Sequence, residues 1–163
     1  MEPKNLYLKF SDYNGSAGSR NLNIESISRA YPILKRASDY HVCVSAFSLP
    51  TSGLGVTNIA RFDIKTNSLP IHTQLINGRQ EVNARILFSY YPTAAELATN
   101  AVVFNSTNNF FTDLDSNEPL RETDLFIDVV YIDGSKMPFA LGTVTGAFVD
   151  LYFDRITHGF SLL

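Results

Sequence analysis

The chain has 163 residues, of which 45% are hydrophobic and 18% charged, with a formal net charge of −3 at pH 7. That is one ordinary domain with a sizeable core and few surface charges, which favours a surface partly covered by a partner. The 13 Lys and Arg are scattered, without a basic arm to displace counterions from a nucleic-acid backbone, and no apolar run reaches the roughly 18 residues of a membrane span.

At the start, Leu6, Leu8 and Phe10 alternate with polar residues. Residues 1–20 are read as an N-terminal arm, partly extended, of the single domain 1–163. Lys4 and Lys9 interrupt the apolar character of the first ten residues, so no secretory leader is expected. A helical turn is expected over 24–30. The clearest early strand covers 40–49, where Val42, Val44 and Ala46 alternate with His41, Cys43, Ser45 and Phe47. Both faces are apolar or small, which predicts a central strand. Pro50 ends it, since proline cannot donate to a ladder, and the Gly-containing stretch 52–55 follows.

Residues 59–65 place Phe62 and Ile64 opposite Arg61, Asp63 and Lys65, a half-buried strand with its charges in water. A weaker strand over 69–76 stops at Asn77-Gly78, a dipeptide that tolerates positive φ at both positions, and apolar alternation resumes at Val82. A hairpin is predicted there. The second arm runs through Ile86 and Phe88 to Tyr90-Tyr91-Pro92. Residues 93–99 predict a short helix, capped by Thr93 with Glu96 three residues on.

Towards the C-terminus, 125–132 alternates up to Asp133-Gly134-Ser135, 136–141 reads as the return strand, and 147–154 is a long final strand. Seven to nine strands with short helices in connections give an all-β fold: an antiparallel β-sandwich, a single jelly roll of about eight strands.

Catalytic signals are absent from the sequence: it has no nucleophile elbow, phosphate loop, dinucleotide fingerprint or His-Glu-x-x-His. No catalytic residue, cofactor or resident metal is expected, and the chain is read as a non-enzyme. His41 and His72 could serve a cupin-like metal site, but their own strands lack carboxylates; His158 is far off in sequence. The weak calcium candidate is Asp113, Asp115 and Asn117, which alternate like the start of a calcium loop before Glu118 replaces the required glycine. Cys43, the lone cysteine, excludes an internal disulfide. It stands two residues from His41 on one strand, about 7 Å away and beyond hydrogen-bond reach, so a buried structural thiol is expected. The sequons at Asn14 and Asn105 are read as chance. In the pairs Tyr90-Tyr91 and Phe110-Phe111, one ring is expected to fill the core while the other is free to cover a neighbour.

The segment 38–51, with Tyr40, Val42, Val44, Phe47, Ser48, Leu49, Pro50 and Thr51, resembles the Tyr-x-Val-x-Val-x-x-Phe-Ser-Ile-Pro-Thr segment of penton, or minor capsid, proteins. These belong to virophages, polinton-like viruses and related double-jelly-roll viruses. The ending is similar as well, with Asp133-Gly134, Pro138 to Leu141, Gly146 and the closing run 149–155. The resemblance covers about a third of the chain. It implies a virion protein forming a homopentamer at the capsid vertex and contacting the major capsid protein, made in the host cytoplasm or nucleus, with no direct nucleic-acid contact and no membrane span. The chain departs from that family in being short, in lacking a basic tail after Arg155 and in lacking Arg-Gly-Asp. A cement or spike role on the same fold stays open.

Contacts are expected in loops 52–58 and 105–117 and at both termini, with Leu54, Val56, Tyr91, Phe110 and Phe111 as interface candidates. The rival reading is a carbohydrate-binding, lectin-like sandwich with Phe110, Phe111, Asp113 and Asn117 as the site.

Overall fold

The structure, a computed structural model, describes residues 4–11, 20–21, 34–51, 58–71, 75–76, 79–80, 85–106, 110–121, 123, 125–138, 140–141 and 147–156. The expected helical turn at 24–30, together with Leu54, Val56, His72, His158 and Asn14, lies outside the described residues. In chain order the strands are β1 (Asn5–Ser11), β2 (Arg20–Asn21), β3 (Tyr40–Pro50), β4 (Ile59–Thr66), β5 (Leu75–Ile76), β6 (Arg79–Gln80) and β7 (Arg85–Tyr90). They continue with β8 (Ala101–Asn105), β9 (Thr112–Asp113), β10 (Phe126–Tyr131), β11 (Lys136–Pro138), β12 (Ala140–Leu141) and β13 (Phe148–Arg155). Residues 5–11, within the expected arm, form the sheet strand β1.

Two antiparallel sheets carry the fold. The first runs β1-β13-β3-β8, with β9 continuing the β8 side of β3, and the second runs β11-β10-β4-β7. The chain crosses from β3 in the first sheet to β4 in the second, returns from β7 to β8, and comes back to β13 between β1 and β3. This interleaving of sequence-distant strands is the jelly-roll arrangement. A hairpin is present at the expected turn, Leu75 pairing with Gln80 and Ile76 with Arg79, but the segment expected as its second arm belongs elsewhere: β7 pairs with β4 in the second sheet. The expected helix is one turn, α1 (Ala94–Leu97), with the capping box formed: Thr93 Oγ1 accepts from the Glu96 amide and Glu96 accepts from the Thr93 amide.

The core lies between the sheets, where Tyr40, Val42, Phe47 and Leu49 of β3 meet Phe62 and Ile64 of β4, Ile127 and Val129 of β10, and Leu151 and Phe153 of β13. Phe47 is fully buried and packs its ring against Phe104 at 5.2 Å and Tyr90 at 5.2 Å. Burying each such side chain contributes about 1.5–3 kcal/mol.

Two expectations about side-chain direction are corrected by the structure. Strict alternation along β3 would put Phe47 opposite Val42 and Val44, yet all three belong to the core. The reason is a β-bulge: Ala46 pairs with Asp150 and Val44 with Leu151, so Ser45 is an extra residue that shifts the alternation by one. Its groups are satisfied, since its hydroxyl donates to the Asp150 carbonyl at 3.3 Å and its carbonyl accepts from the Ser106 amide at 2.9 Å. The charges of β4 do not all face water either. Asp63 is 1% exposed and accepts from Arg61 Nε at 3.0 Å and Ser89 Oγ at 2.7 Å, while buried Lys65 pairs with Asp128 at 3.2 Å. These charges tolerate burial because each has an opposite or hydrogen-bonding partner.

Candidate interaction surfaces

The outward side of the first sheet departs from the polar face that an antiparallel sandwich usually turns to solvent. Cross-strand register builds it in rows. Asp113 of β9, His41 of β3, Asp154 of β13 and Asn5 of β1 stand side by side, and Cys43, Tyr152 and Tyr7 make the next row. Tyr7 stacks on Tyr152 with ring centroids 4.5 Å apart. From the connection before β9, Phe111 folds back onto the sheet, stacking on His41 at 3.9 Å and meeting Tyr152 at 5.8 Å and a tilt of 56°. His41 Nε2 lies 3.5 Å from Asp154 Oδ2.

Cys43 is outward-facing by alternation and nonetheless buried. That burial, helped by the negative charge of Asp154, pushes its thiol up to about 11. It therefore offers no thiolate near neutrality. Tyr152 is raised too, by burial first and then by Asp154.

Phe110 is 78% exposed, so the two rings of the Phe110-Phe111 pair part company, one free and one laid on the sheet. Neither enters the core. In the other pair, Tyr90 packs against the core while Tyr91 stands exposed. Burial and a hydrogen bond to Glu96 lift the Tyr90 phenol to about 12, and the same bond holds the Glu96 carboxyl below its ordinary range.

Exposed apolar groups also gather at the end of the sandwich where β10 turns into β11. Ile132 is exposed there, its amide donating to the Asn58 carbonyl at 2.8 Å, and Asp133 fixes the turn by accepting from the amide and hydroxyl of Ser135. Those two bonds hold the Asp133 carboxyl below its usual range. Gly134 occupies this turn at φ 86°, a conformation that disfavours any side chain.

The calcium candidate is not assembled. Asn117 Oδ1 accepts from Arg36 Nη2 at 2.8 Å and Nε at 3.2 Å, and from Ser38 Oγ at 3.1 Å. A guanidinium therefore occupies the side of the oxygen that a cation would take. Asp113 instead lies opposite His41, on the outer face of the first sheet. His41 does gain carboxylate neighbours, Asp113 and Asp154, from adjacent strands, yet among the described residues no group of three His, Cys, Asp or Glu could hold a metal ion. The lectin-like grouping is likewise divided, because Phe111 is stacked on His41 and Asn117 is taken by Arg36. Among the described residues no helix is long and apolar enough to cross a membrane.

Sequence reasoning singled out Phe110, Phe111 and Tyr91 but not Tyr7, Tyr152 or Asp154. The available signal was the second face of the final strand, where Phe148 and Tyr152 alternate with the core residues at positions that an exposed face would fill with polar groups.

No family model matches the chain, and no curated protein does. Solved structures do. The crystal structure of the mavirus penton protein superposes with a TM-score of 0.71 at 12% identity, covering 94% of this chain and 100% of that one. The cryo-EM structure of the Sputnik virophage matches with a TM-score of 0.53 at 19% identity over 60% of this chain; that match spans 30% of the virophage chain. The chain is therefore penton-like in fold: an all-β sandwich with the jelly roll of a virophage penton protein.

Proposed function

We propose that the chain is a structural virion protein, a minor capsid or penton subunit that associates with copies of itself at a capsid vertex and contacts the major capsid protein, without catalysing a reaction. The observation that carries this reading is the superposition over the whole length of the mavirus penton protein. The surface supports it physically. Ring assembly brings one face of a subunit against a different face of the next, and exposed aromatics flanked by few charges suit such contacts. Tyr91 and Phe110 are the proposed contact residues, and a pentamer is the proposed ring.

Light scattering of the purified protein, with negative-stain micrographs, tests the reading alone and after mixing with the major capsid protein. Five-membered rings or vertex incorporation are expected. A protein that stays monomeric in both conditions and binds immobilised glycans would overturn the proposal in favour of a carbohydrate-binding module.

A further inference from the structure

We infer that the outer face of the first sheet, around the Asp113–His41–Asp154 row and the rings of Tyr7, Phe111 and Tyr152, accepts an extended, cation-bearing apolar segment of another protein chain. Charge argues for the sign of the partner. Among the described residues of this face the carboxylates are Asp113, Asp150 and Asp154, and Lys9 stands opposite Asp150 in register. Lys4 and Arg155 end the same strands but belong by alternation to the inward side. Asp113 and Asp154 thus flank one imidazole, with aromatic rings beside them. A Lys or Arg side chain is the group that both features attract, the carboxylates by charge and the ring faces through their quadrupoles.

Size argues for a segment rather than a globular partner. Four strands at about 4.8 Å spacing and eight residues at about 3.4 Å rise give a footprint of about 500 Å². A standard stable interface takes about 800 Å² from each partner. A strand-like peptide with apolar residues between its cations matches the footprint and the alternation of ring and carboxylate rows. A second copy presenting the same acidic face would be repelled.

The inference deepens the assembly reading by stating what one face binds, and its test reads that face alone. Fluorescence polarisation is recorded for fluorescein-labelled Leu-Arg-Leu-Arg-Leu and Leu-Glu-Leu-Glu-Leu peptides against the full chain. The Arg peptide is expected to bind saturably and at least tenfold more tightly than the Glu peptide. That preference should disappear in the double variant Asp113→Asn, Asp154→Asn, and affinity should drop in Tyr7→Ser, both variants keeping the parent melting temperature. Equal binding of the two peptides, no saturable binding, or an undiminished preference in the folded double variant would overturn it. Equal binding of the two peptides by an unmutated protein that still forms pentamers removes this inference and leaves the assembly reading; an unmutated protein that stays monomeric yet prefers the Arg peptide does the reverse.

Discussion

Asp63 and Asp128 stand directly opposite one another on β4 and β10, an arrangement of like charges that two cations make tolerable. Arg61 serves the first and Lys65 the second. Asp63→Ala would leave Arg61 beside a site without its carboxylate and Ser89 without its acceptor. A loss of about 1–3 kcal/mol is expected from urea unfolding, since the donors around Asp63 lose the acceptor that replaced water; Asp63→Asn, which keeps an acceptor, should cost less. Cys43 gives a prediction in pH. Its acidity is displaced upward in the folded state, from an ordinary value near 9 to about 11, so folding opposes its ionisation. The stability this protects is whole below pH 9 and is lost as pH rises towards 11. Tyr90, raised from 10 to about 12, adds the same trend slightly higher. Urea midpoints between pH 8 and 11 should therefore fall more steeply in the parent than in Cys43→Ala. The native thiol should also be silent to a thiol reagent at pH 8 and react once unfolded.

Among the elements, β3 decides which rings reach the core. Val42 and Val44 are two apart, Phe47 is three further on, and Leu49 two beyond it. Removing Ser45 takes out the bulged residue and leaves Val42, Val44, Phe47 and Leu49 on one face of a regular strand. That deletion should keep the β-rich circular dichroism and cost no more than about 2 kcal/mol, within the range of ordinary substitutions. Removing Cys43 and straightening the bulge keeps Tyr40 and Val42 inside but puts Ser45 in the place of Val44 on the core face, so this deletion should lower the urea midpoint more than removal of Ser45 does. The same spacing explains what could be read beforehand. Local chemistry was legible: Thr93 and Glu96 announced α1, Asn77-Gly78 announced the β5–β6 hairpin, and alternation located β4, β10 and β13. The bulge was not legible from alternation, because it is defined by what β13 places opposite. Strand β8 escaped notice because Val102, Val103 and Phe104 run together without alternating. The outer aromatic face, likewise, joins residues from positions 7, 41, 111 and 152, which only the sheet order brings together.

For the whole molecule, the strand order sets the folding problem. Strand β1 pairs with β13 and β13 with β3, so the first sheet cannot close until the ends of the chain have met. Such non-local pairing slows folding, and refolding from urea should take milliseconds to seconds rather than microseconds. Stopped-flow circular dichroism measures this; a microsecond phase carrying the full amplitude would be inconsistent with the topology. Truncation to residue 12 would uncover the edge of β13 and expose a row of unpaired amides and carbonyls.

The Arg155 amide donates to the Lys4 carbonyl at 2.9 Å, at the same end of the sandwich as Tyr40. The turn bearing Ile132 sits at the opposite end, beside the start of β4. Polypeptide fused before Lys4 or after Ile156 consequently departs from one pole of the subunit, leaving the other pole unobstructed. A fluorescent or affinity label joined directly at Lys4 or at Ile156 thus starts from the pole away from the Ile132 tip.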